Sequence, residues 1–232
     1  MLIDNLRQAD AYPHEVTRIR ALETHISWVF LTGRYAYKIK KPLDLGFLDF
    51  STLDQRRHYC EEELRLNRRF APGLYVDVVP IGGSPSAPRI GEEPAIEWAV
   101  RMHEFPVEAG LDIELEQGRV EAGQLRQLAE LVAGAHQAAP VVDDPHTGRL
   151  DHVRAPAMDN FDSLAADCDS PLLQQQLAAL RDWTERELQR LAPVFEDRAQ
   201  QGCVRECHGD LHAGNIVCLE TGLVPFDCIE FS

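Results

Sequence analysis

The sequence predicts an α+β fold in which a β-rich first part is followed by a mainly helical second part. Short runs rich in β-branched and aromatic residues occur before about residue 105. One amphipathic helix interrupts these runs, and leucines at helical spacing dominate the rest of the chain. We therefore expect one lobe over residues 1–105 and a second over residues 106–232.

The bulk composition excludes several functional classes. The 232 residues are 44% apolar, so the chain can bury a sizeable core. The net charge of −15 argues against nucleic-acid binding, which needs basic surface. No apolar run approaches the roughly 18 to 20 residues of a membrane span, so no membrane partner is expected. Six cysteines without regular spacing indicate free thiols and a cytoplasmic location.

The first lobe is predicted to begin with a helical segment and a β-hairpin. Residues 2–22 are predicted to be helical with a break at Pro13, and strands over residues 23–31 and 35–41 flank a turn. In the second strand, two-residue alternation puts Ala36, Lys38 and Lys40 on one face. The small residue leaves room for a flat ligand and Lys38 can reach its phosphates; a solvated lysine is the alternative interpretation.

A helix over residues 51–70, with Ser51 as its cap, follows the hairpin. Glu63 falls within its apolar arc, and a buried carboxylate needs a cationic partner. Lys38 is one candidate, and Arg56 on the same helix is its rival. Strands over residues 75–81 and 96–102 complete this lobe.

The second lobe is predicted to hold two helices and a hairpin. A leucine-marked helix ends near His136, and a polar, proline-containing stretch covers residues 140–156. A long helix over residues 173–193 ends at Pro193, and a hairpin over residues 216–226 leads to Asp227.

The stretch over residues 207–217 concentrates the polar side chains that carry chemistry. Asp210 and Asn215 lie five positions apart on a glycine-containing loop, and the hairpin returns Asp227 beside Asn215. A carboxylate near an acceptor hydroxyl and oxygen ligands for Mg²⁺ are what phosphoryl transfer requires. A zinc site is the alternative, although its candidate ligands contain no C-x-x-C pair: Cys203, Cys207, His208, His212 and Cys218.

Three segments resemble motifs of the aminoglycoside phosphotransferase family, relatives of the protein kinases. The segment over residues 208–216 resembles the catalytic motif, with the D-x-x-x-x-N spacing of the kinase catalytic loop. The segment over residues 226–230 resembles the metal-binding motif as a D-x-x-E variant. The segment over residues 36–38 resembles the kinase A-x-K, and Glu63 then resembles the glutamate that pairs with the lysine.

The resemblance implies a protein-kinase-like two-lobe fold that binds ATP and Mg²⁺. It implies that Asp210 activates the acceptor hydroxyl, that Asn215 and Asp227 hold Mg²⁺, and that Lys38, oriented by Glu63, holds phosphates. His208 is expected to stabilise the catalytic loop by hydrogen bonding. The remaining expected nucleotide contacts are Ser27, Ala36, Met102, His103, Glu104 and Phe105.

More narrowly, residues 23–28 and 37–42 resemble the N-terminal half of bacterial two-part proteins whose C-terminal half is a P-loop ATP-binding domain. No G-x-x-x-x-G-K-[ST] or G-x-G-x-x-G occurs in the chain, so residues 24–27 are expected to cover the phosphates. The sequence ends at Ser232, soon after the metal motif, which predicts a truncated helical lobe.

The function these patterns predict is ATP-dependent phosphorylation of a hydroxyl on an unidentified small molecule. The alternative is a kinase-like module that binds nucleotide for regulation and transfers no phosphate.

Overall fold

The computed structural model of the chain describes residues 1–46, 48–142, 144, 146–166 and 168–230. It has the predicted α+β organisation. The chain divides into two compact units, Met1–Ala135 with His208–Ser232, and His136–Cys207. The proposed lobe boundary at residues 105 and 106 stays a prediction.

The first unit is built on a six-stranded sheet in the order β1-β2-β3-β6-β4-β5, with every neighbouring pair antiparallel. A separate hairpin of β7 and β8 forms where the sequence predicts it. The strands are β1 Arg20–Glu23, β2 Ser27–Leu31, β3 Tyr35–Lys40, β4 Tyr75–Ser84, β5 Ala87–Ile90, β6 Glu97–His103, β7 Ile216–Leu219 and β8 Gly222–Pro225.

The prediction of helix over residues 2–22 is wrong. The structure forms only α1 over Leu2–Asn5 and a 3₁₀ turn over Ala9–Ala11, and β1 already begins at Arg20. Leu6 and Tyr12 are buried against Tyr37 and other residues on one face of the sheet. Packing on that face stabilises the segment without regular helix, since a short helix gains little by itself.

The opposite face of the sheet carries α2, Leu53–Asn67, as predicted. Thr52, one residue after the expected Ser51, caps this helix by accepting a hydrogen bond from the Gln55 N–H. Arg56 fixes α2 to β6, because its Nε lies 2.9 Å from both carboxylate oxygens of Glu97. Its Nη1 also donates to the Phe50 carbonyl at 2.9 Å.

The remaining helices are α3 Leu111–Glu116, α4 Ala122–Ala138, α5 Leu150–Ala166 and α6 Pro171–Gln200. Helix α5 begins within the polar, proline-containing stretch over residues 140–156, of which Asp143 and Pro145 lie outside the described residues. Helix α6 continues through Pro193 to Gln200, so the predicted end there is wrong, although this proline supplies no N–H to the helix. Among the helices that the structure describes, none is long and apolar enough to cross a membrane.

We predict that Arg56→Met lowers the free energy of unfolding by about 3 kcal/mol, because it leaves the Glu97 carboxylate buried without its cation. The neighbouring Arg57→Met is the matched control, since the Arg57–Glu61 pair is half exposed and such pairs contribute less than about 1 kcal/mol. Urea denaturation of both variants measures the difference. Equal losses would contradict this account of α2.

Candidate active site

Two lysines of β3 and one acid of α2 form the centre of a buried charge cluster. Lys38 Nζ lies 2.9 Å from Oε1 of Glu63, and Lys40 Nζ lies 2.8 Å from Oε2 of the same carboxylate. Two further carboxylates complete the cluster: Asp227 pairs with Lys38, and Glu230 pairs with Lys40. Each oxygen of Glu63 therefore faces its own ammonium group.

The alternation of β3 explains why both lysines reach one carboxylate. Lys38 and Lys40 are two residues apart and project from the same face, on which α2 packs. The structure thus brings together Lys38 and Glu63, while the rival Arg56 pairs with Glu97. The alternation of β3 predicts that Lys40 lies on this face, but its contacts with Glu63 and Glu230 were not expected.

Mutual attraction favours the charged states of Glu63, Lys38 and Lys40. Burial alone would raise the pKa of Glu63, but the two ammonium groups outweigh burial and lower this pKa to about 2. Burial alone would lower the pKa of Lys38 and of Lys40, but the facing carboxylates raise both above the usual lysine value. Burial raises the pKa of Glu230 despite the attraction of Lys40.

The segment that carries Asp227 is held by side chains from β4 and α2. The Asp227 N–H donates to the hydroxyl oxygen of Tyr75 at 3.1 Å, and the Cys228 N–H donates to Oδ1 of Asn67 at 3.0 Å. Asp227 has φ of +62°, a left-handed conformation that residues other than glycine rarely adopt. These contacts hold the conformation in which the carboxylate meets Lys38.

The predicted catalytic loop brings Asp210 and Asn215 into contact. The side-chain amide of Asn215 donates to the Asp210 carbonyl at 2.9 Å and to its carboxylate Oδ2 at 3.1 Å. His212 accepts the Gly214 N–H at Nδ1, so its Nε2 carries the proton and faces Oδ2 of Asp210 at 3.6 Å. The Asp210 side chain is 56% exposed, so an acceptor molecule can approach it.

His208 is buried and ties the loop to the segment of Asp227. Its Nε2 donates to the Phe226 carbonyl at 2.9 Å, and its own carbonyl accepts the Ile229 N–H at 2.9 Å. Nδ1 accepts the Asp210 N–H at 3.4 Å. Gly209 has φ of +87°, and a Cβ there would lie 2.9 Å from Cβ of Ile229. Both ring nitrogens of His208 are therefore engaged by the backbone.

A cavity of about 300 Å³ lies beside the buried charge cluster. Lys38 and Asp227 lie at its charged end. An apolar slot with a few charged groups suits a flat, uncharged ring that bears an anionic tail. Its apolar walls include Val29, Leu31, Ala36, Met102, Phe105 and Phe226.

Four of the residues expected to bind nucleotide line this cavity: Ala36, Lys38, Met102 and Phe105. The other three have different surroundings. Ser27 is fully buried opposite Lys40, and Thr24 from the same turn lines the cavity instead. The ring of His103 packs on Tyr35, with 5.4 Å between the ring centroids. The Glu104 carboxylate accepts hydrogen bonds from the Gly33 N–H at 2.6 Å and from Arg18 at 3.2 Å.

The donor chemistry of Asn215 and Asp227 fits Mg²⁺. Because the Asn215 side chain donates its NH₂ group to Asp210, its amide oxygen is left as a donor to a metal. The Phe226 N–H donates to the Asn215 carbonyl at 2.9 Å, which brings the residue before Asp227 next to Asn215. Carboxylate and amide oxygens are hard ligands of the kind that Mg²⁺ prefers.

The zinc alternative has no support in the part of the chain that the structure describes. No group of three or more His, Cys, Asp or Glu side chains there is arranged to hold a metal ion. None of the described cysteines forms a disulfide. Burial raises the pKa of Cys218, one of the candidate ligands, which disfavours the thiolate form that a metal binds.

We predict that His208→Gln weakens the dependence of stability on acidic pH. Burial lowers the pKa of His208, so the unfolded chain binds more protons just below pH of about 6.5, and stability falls as pH falls through that range. Glutamine retains an N–H for the Phe226 carbonyl and does not titrate. Unfolding free energies at about pH 7.5 and about pH 5.5 test this.

His212→Gln is the control for the His208 variant, because the His212 side chain is 59% exposed. It should keep the pH dependence of the unaltered protein. If His208→Gln keeps that dependence as well, the buried ring is not its source.

Comparison with known proteins agrees with this geometry. Residues 51–227 match the family model of the phosphotransferase enzyme family, called APH. Uncharacterized proteins of Mycobacterium bovis and Mycobacterium tuberculosis are 28% identical over 226 residues, which cover 96% of this chain. The chain spans 44% of the length of these curated relatives. Because the family model covers most of the chain, the protein belongs to the phosphotransferase enzyme family, and its kinase-like resemblance is confirmed.

Proposed function

We propose that this chain forms the phosphotransferase part of an ATP-dependent enzyme that phosphorylates a hydroxyl group of a small molecule. One observation carries the proposal. Lys38 lies at the end of the apolar cavity, where it contacts both Glu63 and Asp227. A lysine held by one acid and facing a second acid is suited to bind phosphates beside a metal.

The apolar cavity supports nucleotide binding. An adenine ring would lie between Ala36 and Phe226, with its phosphates toward Lys38 and the turn at Thr24. The Phe105 N–H makes no hydrogen bond with the described residues, so it is free to donate to a ring nitrogen. In this arrangement the adenine ring receives one directional hydrogen bond. The rest of its binding comes from dispersion and from the burial of apolar surface.

The exposed carboxylate of Asp210 supports transfer to a hydroxyl. Asp210 accepts the proton of the acceptor hydroxyl as the new bond forms between that oxygen and the γ-phosphorus. The bond from the γ-phosphorus to the β,γ-bridging oxygen breaks, and ADP leaves. The amide of Asn215 holds the Asp210 carboxylate in one orientation. When bound, Mg²⁺ would be held by Asn215 and Asp227 and would neutralise phosphate charge.

The proposal also covers the cellular compartment, a further domain and the binding partners of the enzyme. The cysteines that the structure describes form no disulfide, which suits a reducing compartment, so we place the protein in the cytoplasm. The greater length of the curated relatives supports a further domain in the full-length protein, and the P-loop ATP-binding domain is our candidate. The partners proposed for this chain are a nucleotide and a hydroxyl-bearing metabolite, without nucleic acid or membrane.

We predict that Ala36→Leu weakens Mg-ATP binding by about tenfold or more, which is about 1.4 kcal/mol, because the larger side chain fills the cavity. Isothermal titration measures the affinity, and circular dichroism checks that the variant is folded.

Gly222→Ala in the β7–β8 turn is not a suitable control because Gly222 has φ of +118°. Glu220→Ala, an exposed change in the same turn, should leave the affinity unaltered. Unaltered affinity in Ala36→Leu would mean that ATP binds elsewhere.

We predict that Asp210→Ala in the full-length protein keeps the affinity for Mg-ATP and lowers turnover by about 10²- to 10⁴-fold, the usual contribution of a general base. The measurement is ADP release in the presence of a panel of hydroxyl-bearing metabolites. Glu220→Ala again serves as the control. Turnover equal to that of the unaltered protein would remove Asp210 from the mechanism.

A further inference from the structure

Lys40 has no place in the nucleotide contacts described above, yet it is one of the most buried charged residues. It is 1% exposed, whereas Lys38 lines the cavity. Its Nζ contacts Glu63 at 2.8 Å and Glu230, and it lies 4.9 Å from the centroid of the Phe50 ring. Lys40 is enclosed on all these sides, so it cannot touch a ligand in the cavity.

We propose that Lys40 and Glu230 form a positioning pair that holds Glu63, and through Glu63 the catalytic Lys38, in the geometry required for phosphoryl transfer. This inference rests on the proposed function and deepens it. It assigns a role to Lys40, which lies outside the kinase-like motifs, and a positioning role to Glu230, the last residue of the D-x-x-E segment.

The first argument concerns the two oxygens of Glu63. Oε1 faces Lys38 and Oε2 faces Lys40, so each buried oxygen has a cation. Without Lys40, Oε2 would be buried without a charged partner, which is costly. The carboxylate would then turn to place both oxygens on Lys38 and draw this ammonium group away from the cavity.

The second argument concerns the balance of charge. The cluster holds two lysines and three carboxylates. Lys40 compensates Glu230 and part of Glu63, which leaves Lys38 to face Asp227 and the cavity. Without Lys40, a single lysine would be shared among three acids and would be less available to phosphates.

The third argument concerns the connection between elements. Lys40 lies on β3, Glu63 on α2, and Glu230 three residues beyond Asp227. The pair therefore joins the helix to the segment that carries the metal carboxylate. Asn67 makes a parallel connection, because it donates to the Glu63 carbonyl at 2.8 Å and accepts the Cys228 N–H. Together these contacts keep α2 from moving away from the site.

The test compares Lys40→Met, Glu230→Gln and the double variant in the full-length protein. Arg56→Met is the matched control, because it breaks another buried ion pair of α2 that does not contact Lys38. The readouts are the thermal midpoint, kcat and KM for Mg-ATP in ADP release, and hydrogen–deuterium exchange of α2 without nucleotide.

We expect Lys40→Met to lower the thermal midpoint and to reduce kcat by about ten- to a hundredfold, with KM for ATP altered less than about threefold. The double variant should recover part of the lost thermal midpoint, because it also removes the charge of Glu230, which Lys40→Met leaves without a cation. Its kcat should stay low. Arg56→Met should lower the midpoint and keep kcat within about twofold. Recovery of kcat in the double variant, or an equal loss of kcat in Arg56→Met, would reduce Lys40 to a structural role.

The exchange measurement separates this inference from the proposed function. If the unaltered protein releases no ADP with any acceptor, the proposed function fails, and the exchange data still decide the role of Lys40. Lys40→Met should increase exchange at residues 60–67 of α2 more than Arg56→Met does. Exchange there equal to that of the unaltered protein would overturn the positioning role.

Discussion

The carboxylate of Glu63, held between the ammonium groups of Lys38 and Lys40, is the interaction on which the rest of the site depends. An acid this deeply buried is tolerated only because each of its oxygens meets a cation. The requirement fixes α2 against β3. It also fixes Lys38 at the end of the cavity, where the proposed reaction needs a positive charge.

Hydrogen bonds connect this charge cluster to the strained segment at Asp227 and to the catalytic loop. Tyr75 and Asn67 hold the backbone at Asp227 and Cys228, and His208 connects the loop to the same segment. Backbone strain of this kind persists where surrounding contacts outweigh its cost, and such places are often functional. The charge cluster, the segment and the loop therefore form one connected unit within the first compact unit.

The sequence was sufficient for the parts of the site that follow a local period. The alternation of β3 and the helical arc of α2 predict that Lys38 can pair with Glu63, and the spacing of five positions predicts that Asp210 and Asn215 face one site. The contacts of Asp227 with Tyr75 and of Cys228 with Asn67 join residues 152 and 161 positions apart, for which no local pattern exists. The prediction of helix over residues 2–22 is wrong, because packing on the sheet outweighs the helical pattern of this segment.

The most direct test of phosphoryl transfer is to follow the γ-phosphorus of Mg-ATP by ³¹P NMR while the full-length protein is incubated with pools of hydroxyl-bearing metabolites. We predict that one pool yields a phosphomonoester signal that grows in step with ADP and requires Mg²⁺. Tight binding of Mg-ATP without any acceptor-dependent phosphomonoester would contradict the account and would favour a nucleotide-binding regulatory module.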